Sequence, residues 1–171
     1  MTKEHFTRQV LPLQNKLYRY ALSIVFEEAL AQDIVQEVFL KLWNQRAKLQ
    51  KVKNIEAWSI RMTRNLSYDK LKASSRKMDD IETVAISFVA NSFPGKATEH
   101  ADLIAAIKDI MQNLPEKQKE IFRLRELLGY SNAEIEELLS LDRNQVKVNL
   151  FRARQKIKSK LLQLINYGLE E

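Results

Sequence analysis

The sequence predicts an all-α protein built as two small helical domains joined by a linker. Three observations predict it. Only three glycines and three prolines occur in 171 residues, too few turn residues for a β-rich fold of this length. Apolar residues recur at helical spacing in two separate blocks. The stretch between the blocks lacks that spacing and carries Phe93-Pro94-Gly95, a turn signal. The domains are therefore expected over residues 1–77 and 98–171, with 78–97 as the linker.

The N-terminal block holds at least three helices, of which the second is the clearest. Ile34, Val35, Val38, Phe39, Leu42 and Trp43 form one apolar stripe, while Asp33, Gln36, Glu37, Lys41 and Asn44 occupy the polar face. A basic loop follows from Arg46 to Asn54, with Lys48, Lys51 and Lys53, and a further helix is expected from Ile55 to Lys72. The linker is acidic at its start. Its apolar run from Val84 to Phe93 is unusual for a free linker and suits docking on a domain or a partner.

The C-terminal block opens near Thr98. Leu103, Ile104, Ile107, Ile110, Met111 and Leu114 mark a helical stripe. Pro115 suits the first turn of the next helix, where its missing N–H costs nothing. That helix is expected to end at Gly129, a residue suited to a left-handed cap. Ser131 and Glu134 are spaced as a capping box, and Asp142 and Gln145 form a weaker one. Two capped helices separated by Ser140-Leu141 predict a helix-turn-helix.

Composition narrows the functional classes. Hydrophobic residues make up 45% and charged residues 29%, which fits a packed globular chain. No apolar run approaches the ~20 residues of a spanning helix, and nothing after Met1-Thr2-Lys3-Glu4-His5 looks like a signal peptide. A cytoplasmic protein without membrane insertion is expected. The absence of cysteine removes disulfides, thiolate chemistry and cysteine zinc sites. His5 and His100 have no evident partners, and Asp79 and Asp80 fall in the linker. No catalytic constellation, metal site, cofactor or small-molecule substrate is expected.

Net charge is +6, and its distribution points to nucleic acid. Arg143 to Lys160 contains no acidic residue. Val146, Leu150, Ala153, Ile157 and Leu161 must face the core. Two outer stripes remain: Arg143, Lys147, Phe151, Arg154 and Lys158, then Gln145, Asn149, Arg152 and Lys156. Arg, Asn and Gln near the start of such a helix can contact base edges in the major groove, and the later cations suit phosphates. From Lys41 to Lys77 only Glu56 and Asp69 are acidic. Arg61, Asn65, Tyr68 and Lys72 share a helix face flanked by Trp58 and Arg64, an interleaving that suits unstacked bases. Trp58 and Tyr68 suit a core position equally well. Asp33 and Glu37, one turn apart, form an acidic spot suited to a basic protein partner.

The motifs resemble the extracytoplasmic-function branch of the sigma-70 family. Asp33-Ile34-Val35-Gln36-Glu37-Val38-Phe39-Leu40-Lys41-Leu42-Trp43 is similar to region 2.2. Ala57-Trp58, Arg61, Arg64-Asn65-Leu66 and Asp69 resemble regions 2.3 and 2.4. Leu114-Pro115-Glu116-Lys117-Gln118 is similar to the opening of region 4. Glu137-Leu138-Leu139 through Val146-Lys147, Leu150 and Arg152-Ala153-Arg154 resembles the region 4.2 helix-turn-helix. The resemblance implies that Asp33, Gln36, Glu37 and Lys41 face the RNA polymerase core. Lys53, Asn54, Trp58, Arg61, Arg64, Asn65, Tyr68 and Lys72 would take the −10 promoter element. Arg143, Asn144, Gln145, Lys147, Val148, Asn149 and Arg152 would read the −35 element. It also implies an anti-sigma factor as partner. Asn144-Gln145 stands where the family often has Gly-Thr, Val148 where Ser is usual and Asn149 where Arg is common, so the −35 sequence does not carry over. A helix-turn-helix regulator that does not bind polymerase is the alternative, and it leaves the Asp33–Trp43 match unexplained.

Overall fold

The chain starts its first helix at Thr2, whose side chain accepts the His5 N–H at 3.3 Å and so satisfies one of the end donors a helix cannot pair itself. The computed structural model describes residues 2–75, 105 and 108–168, and every regular element among them is helical. The chain divides into two units, Met1–Val84 and Ala85–Glu171. That division, the expected linker 78–97 with its Val84–Phe93 run, and Leu103, Ile104 and Ile107 lie outside the described residues.

Unit 1 contains α1 (Lys3–Val10), a 3-10 turn (Leu11–Leu13), α2 (Gln14–Val25), α3 (Glu28–Asn44), α4 (Arg46–Leu49) and α5 (Ile55–Ser75). Pro12 sits in the 3-10 turn. It cannot donate a backbone N–H, so residues 3–25 form two helices, and the clearest helix is third in order rather than second. The expected loop 46–54 contains the short α4, and only its second half is irregular. α2, α3 and α5 pack on one another around Leu17, Tyr20, Ile34, Val38, Leu42 and Ile60, all at 0% exposure. The α3 stripe divides: Ile34, Val35, Val38 and Leu42 are buried, but Phe39 and Trp43 are only half-buried. The Phe6 ring meets Trp43 edge-on at 5.1 Å.

α5 buries a polar row. Ser59, Thr63 and Ser67 recur every four residues and are fully buried. Each hydroxyl donates to the carbonyl four residues back: Ser59 to Ile55 at 2.7 Å, Thr63 to Ser59 at 2.9 Å, Ser67 to Thr63 at 2.8 Å. Bonded in this way, small hydroxyls escape the roughly 1–3 kcal/mol cost of an unpaired buried polar group. They give α5 a narrow face toward the core.

In unit 2, residues 108–112 are helical. Pro115, at φ −57° and ψ 143°, caps α6 (Glu116–Phe122) instead of entering its first turn. The helix then widens into a π turn, Arg123–Leu127, with the Leu128 N–H reaching Arg123 O at 3.2 Å. Gly129 follows at φ +74°, the left-handed conformation glycine adopts without strain. α7 (Asn132–Leu139) opens on a complete capping box, Glu134 N–H to Ser131 Oγ at 3.3 Å and Ser131 N–H to Glu134 Oε2 at 2.7 Å. It stops at Ser140, left-handed at φ 54°, and α8 (Arg143–Gly168) begins. Ile121, Leu124, Ile135, Leu138, Val146, Leu150 and Ala153 form the core of this unit.

Candidate nucleic-acid and protein interfaces

The outer face of α3 presents Asp33 and Gln36 to solvent, with Glu37 half-buried beside them. Glu37 accepts from Lys41 at 2.8 Å on one oxygen and pairs with Lys70 of α5 at 3.2 Å on the other. The Lys41 hydrogen bond holds the Glu37 carboxyl below its usual value, outweighing the opposing effect of burial, and Lys70 adds to the lowering. The i,i+4 partner Lys41 follows from helical spacing. Lys70 comes from a different helix and carries no local signal. Leu40, 63% exposed, stands on the same face as Gln36, Glu37 and Lys41 and was not singled out from the sequence.

The basic surface runs from α4 into α5. Arg46 stacks over the Trp43 ring at 4.6 Å and donates to its carbonyl at 3.1 Å. Asn54 is exposed, and its Oδ1 accepts the Ala57 N–H at 2.9 Å as the cap of α5, so one side of its amide is already engaged. Trp58, which the sequence left open between core and surface, is 41% exposed. Arg61, Asn65 and Lys72 are exposed, whereas Arg64 and Tyr68 are half-buried, the guanidinium lying 5.8 Å from the Tyr68 ring centroid. Lys53 is exposed in the loop before Asn54. α5 thus gathers Trp58, Arg61, Arg64, Asn65, Tyr68 and Lys72 on the side away from the hydroxyl row.

On α8, Asp142 Oδ1 accepts the Gln145 N–H at 2.9 Å, and Gln145 Oε1 accepts the Asp142 N–H at 3.4 Å. Asn149 donates back to the Gln145 carbonyl at 2.8 Å. Two of the three amides expected at the −35 element, Gln145 and Asn149, are therefore partly committed to their own helix. Arg143, Asn144, Lys147, Val148 and Arg152 are exposed. Arg154 departs from the expected phosphate role: its guanidinium bonds Glu126 of the π turn at 2.5 and 3.0 Å. The two basic stripes do not abut. Between them, Val148 is 45% and Phe151 62% exposed.

No group of three or more potential metal ligands occurs among the described residues, and no helix among them is long and apolar enough to cross a membrane.

Comparison with known proteins matches Sigma-70 region 2 over residues 10–77 and Sigma-70, region 4 over residues 104–157. The chain is 30% identical over 165 residues to the probable RNA polymerase sigma factor RfaY of Xanthomonas campestris pv. campestris, covering 94% of this chain and 41% of that one. It therefore spans less than half the length of that relative. It is 24% identical over 157 residues to the ECF RNA polymerase sigma factor SigM of Bacillus subtilis, covering 92% and 93%. Its fold is similar to that of the sigma factor RpoE, solved with the anti-sigma factor NepR from Bartonella quintana, at a TM-score of 0.67, 20% identity, and coverage of 92% and 97%.

Proposed function

The chain belongs to the sigma-70 family, in its extracytoplasmic-function branch, and we propose from that premise that it joins RNA polymerase core and directs it to specific promoters. Residues 1–77 bind core and the −10 element, 78–97 form the linker, and 98–171 bind the −35 element. One observation carries this reading over that of a simple regulator. A single helical unit sets an acidic, partly apolar α3 face beside a basic α5 face bearing exposed Trp58. A regulator that reads DNA with its helix-turn-helix alone has no use for that pairing.

Asp33, Gln36, Glu37 and Lys41 supply the polymerase contact. Carboxylates one turn apart suit a basic helical partner, and Leu40 adds apolar area at the same face. Lys53, Asn54, Trp58, Arg61, Arg64, Asn65, Tyr68 and Lys72 hold the opened −10 strand, with Trp58 as the stacking platform. Arg143, Asn144, Gln145, Lys147, Val148, Asn149 and Arg152 address the −35 duplex. An anti-sigma factor is the expected regulator, a sigma factor of similar fold having been solved with one. The chain works in the cytoplasm, with the polymerase.

Transcription from a genomic fragment library by core polymerase reconstituted with this chain tests the proposal. Initiation at a discrete set of promoters is expected. A chain that binds promoter DNA but never binds core enzyme is a regulator instead. Charge reversal at both Asp33→Lys and Glu37→Lys should abolish core binding while helicity by circular dichroism stays unchanged.

A further inference from the structure

The outward face of α8 has an apolar centre between cationic rims. Val146, Leu150 and Ala153 are buried at 0%, 5% and 0% exposure, which fixes the inward direction of this helix. At 3.6 residues per turn, the opposite direction falls on Asn144, Val148, Phe151 and Gln155. Exposed Lys147 and Lys158 border this line on one side, and exposed Arg152 and Lys156 on the other. Val148 and Phe151, three residues apart, are neighbours at its middle. Among the described residues nothing buries either side chain, and both are large hydrophobic groups held at 45% and 62% exposure.

Charge complementarity says what covers them. A helix lying in the major groove places its two flanks against the two phosphate backbones and its outermost line against base edges. Cations on both flanks match the two backbones. The outermost line then meets base edges with a valine and a phenyl ring. Donors and acceptors on bases gain nothing from such groups. The one apolar feature on a major-groove base edge is the thymine 5-methyl group. Two amides that could have read bases polarly are partly diverted, Gln145 into the Asp142 cap and Asn149 onto the Gln145 carbonyl. Exposed Asn144 and Gln155 stand at the two ends of the line and leave its middle to Val148 and Phe151.

We infer that Val148 and Phe151 form a thymine-methyl reader, so that the −35 element served by this chain carries thymines at two neighbouring positions. The inference rests on the proposed function and deepens it by naming what the helix recognises.

The test uses the full chain in reconstituted holoenzyme. Promoters are selected from a pool with a randomised −35 region, and the enriched thymines are then replaced by uracil, which removes the methyl and nothing else. Enrichment of two neighbouring thymines is expected. Each uracil should weaken holoenzyme binding by about fourfold, the worth of one buried methyl. The double variant Val148→Ser, Phe151→Ala should bind thymine and uracil promoters equally. Because both side chains are exposed, its fold should be intact, and the uracil measurement on the unaltered chain stands without it. Holoenzyme that transcribes but is indifferent to uracil overturns this inference and leaves the proposed function standing. So does a double variant that still discriminates. If Phe151→Ala weakens binding to core polymerase in the absence of DNA, the pair faces protein and the inference is again overturned. A chain that never binds core overturns both.

Discussion

Glu37 carries two lysines, and they do different things. Lys41 lies on the same helix and moves with it, whereas Lys70 ties α3 to α5. Both pairs are more than a third exposed, so solvent screens them and the stabilisation is well under ~1 kcal/mol. Lys70→Gln should therefore leave the denaturation midpoint nearly unchanged. Its effect should appear in core binding, because the Glu37 oxygen now held by Lys70 becomes available to the polymerase: affinity should rise a few-fold, and unchanged affinity would show that Lys70 does not compete. The pH dependence has a definite sign. A carboxyl held below its unfolded pKa stabilises the fold at neutral pH, and the stabilisation is lost as pH falls through the depressed value. Glu37→Gln should flatten that part of the acid stability curve, as followed by denaturant titration at a series of pH values. Lys41 was legible from spacing, but Lys70 was not, because a contact between helices depends on how they pack. The same limit applied to Trp58. Its alternation with arginines fitted core and surface equally, and only packing made it an exposed ring.

Elements show the same division. The α3 stripe and the capping boxes were legible because each is set by spacing within a few residues. The hydroxyl row of α5 was not. Ser59, Thr63 and Ser67 read as polar, yet all three are buried, because each satisfies itself on its own helix and leaves room for a close neighbour. Glu120 and Arg123, at 2% and 5% exposure, were likewise invisible to a hydropathy pattern. The outward line of α8 was missed for another reason. Spacing of three and four residues groups Phe151 with the Lys147 stripe, although at 3.6 residues per turn it falls between the two stripes. The turn between α7 and α8 offers a stability test. Ser140 holds φ 54°, a conformation that costs a residue with a Cβ about 1 kcal/mol. Ser140→Gly should raise the stability of unit 2 by up to about that amount, offset partly by glycine's greater freedom when unfolded. A drop in thermal midpoint would contradict it.

Over the whole molecule, the fold class and the two blocks were legible because helical periodicity and scarce turn residues are properties of long windows. The function came from ordered motifs, each modest alone. Charge sets the molecule's behaviour toward DNA. With a net charge of +6 and cations lining α5 and α8, affinity for promoter duplex should fall steeply with salt, as released counterions dictate. A plot of log affinity against log salt should be linear with a negative slope, and Lys147→Ala with Arg152→Ala should make it shallower. A flat response would mean that phosphate contacts do not dominate.

The exposed ring of Phe151 also governs how the uncomplexed protein behaves in solution. Leu40, Trp58, Val148 and Leu162 are likewise exposed, and mutual repulsion between like-charged chains is what keeps such groups apart. Added salt shortens the reach of that repulsion to about 3 Å at 1 M while leaving the apolar groups as they were. Light scattering should therefore show the chain dispersed at low ionic strength and self-associating as salt rises, with Phe151→Ala moving the onset to higher salt. A purification that relies on high salt to strip nucleic acid would push this protein toward clumping with itself.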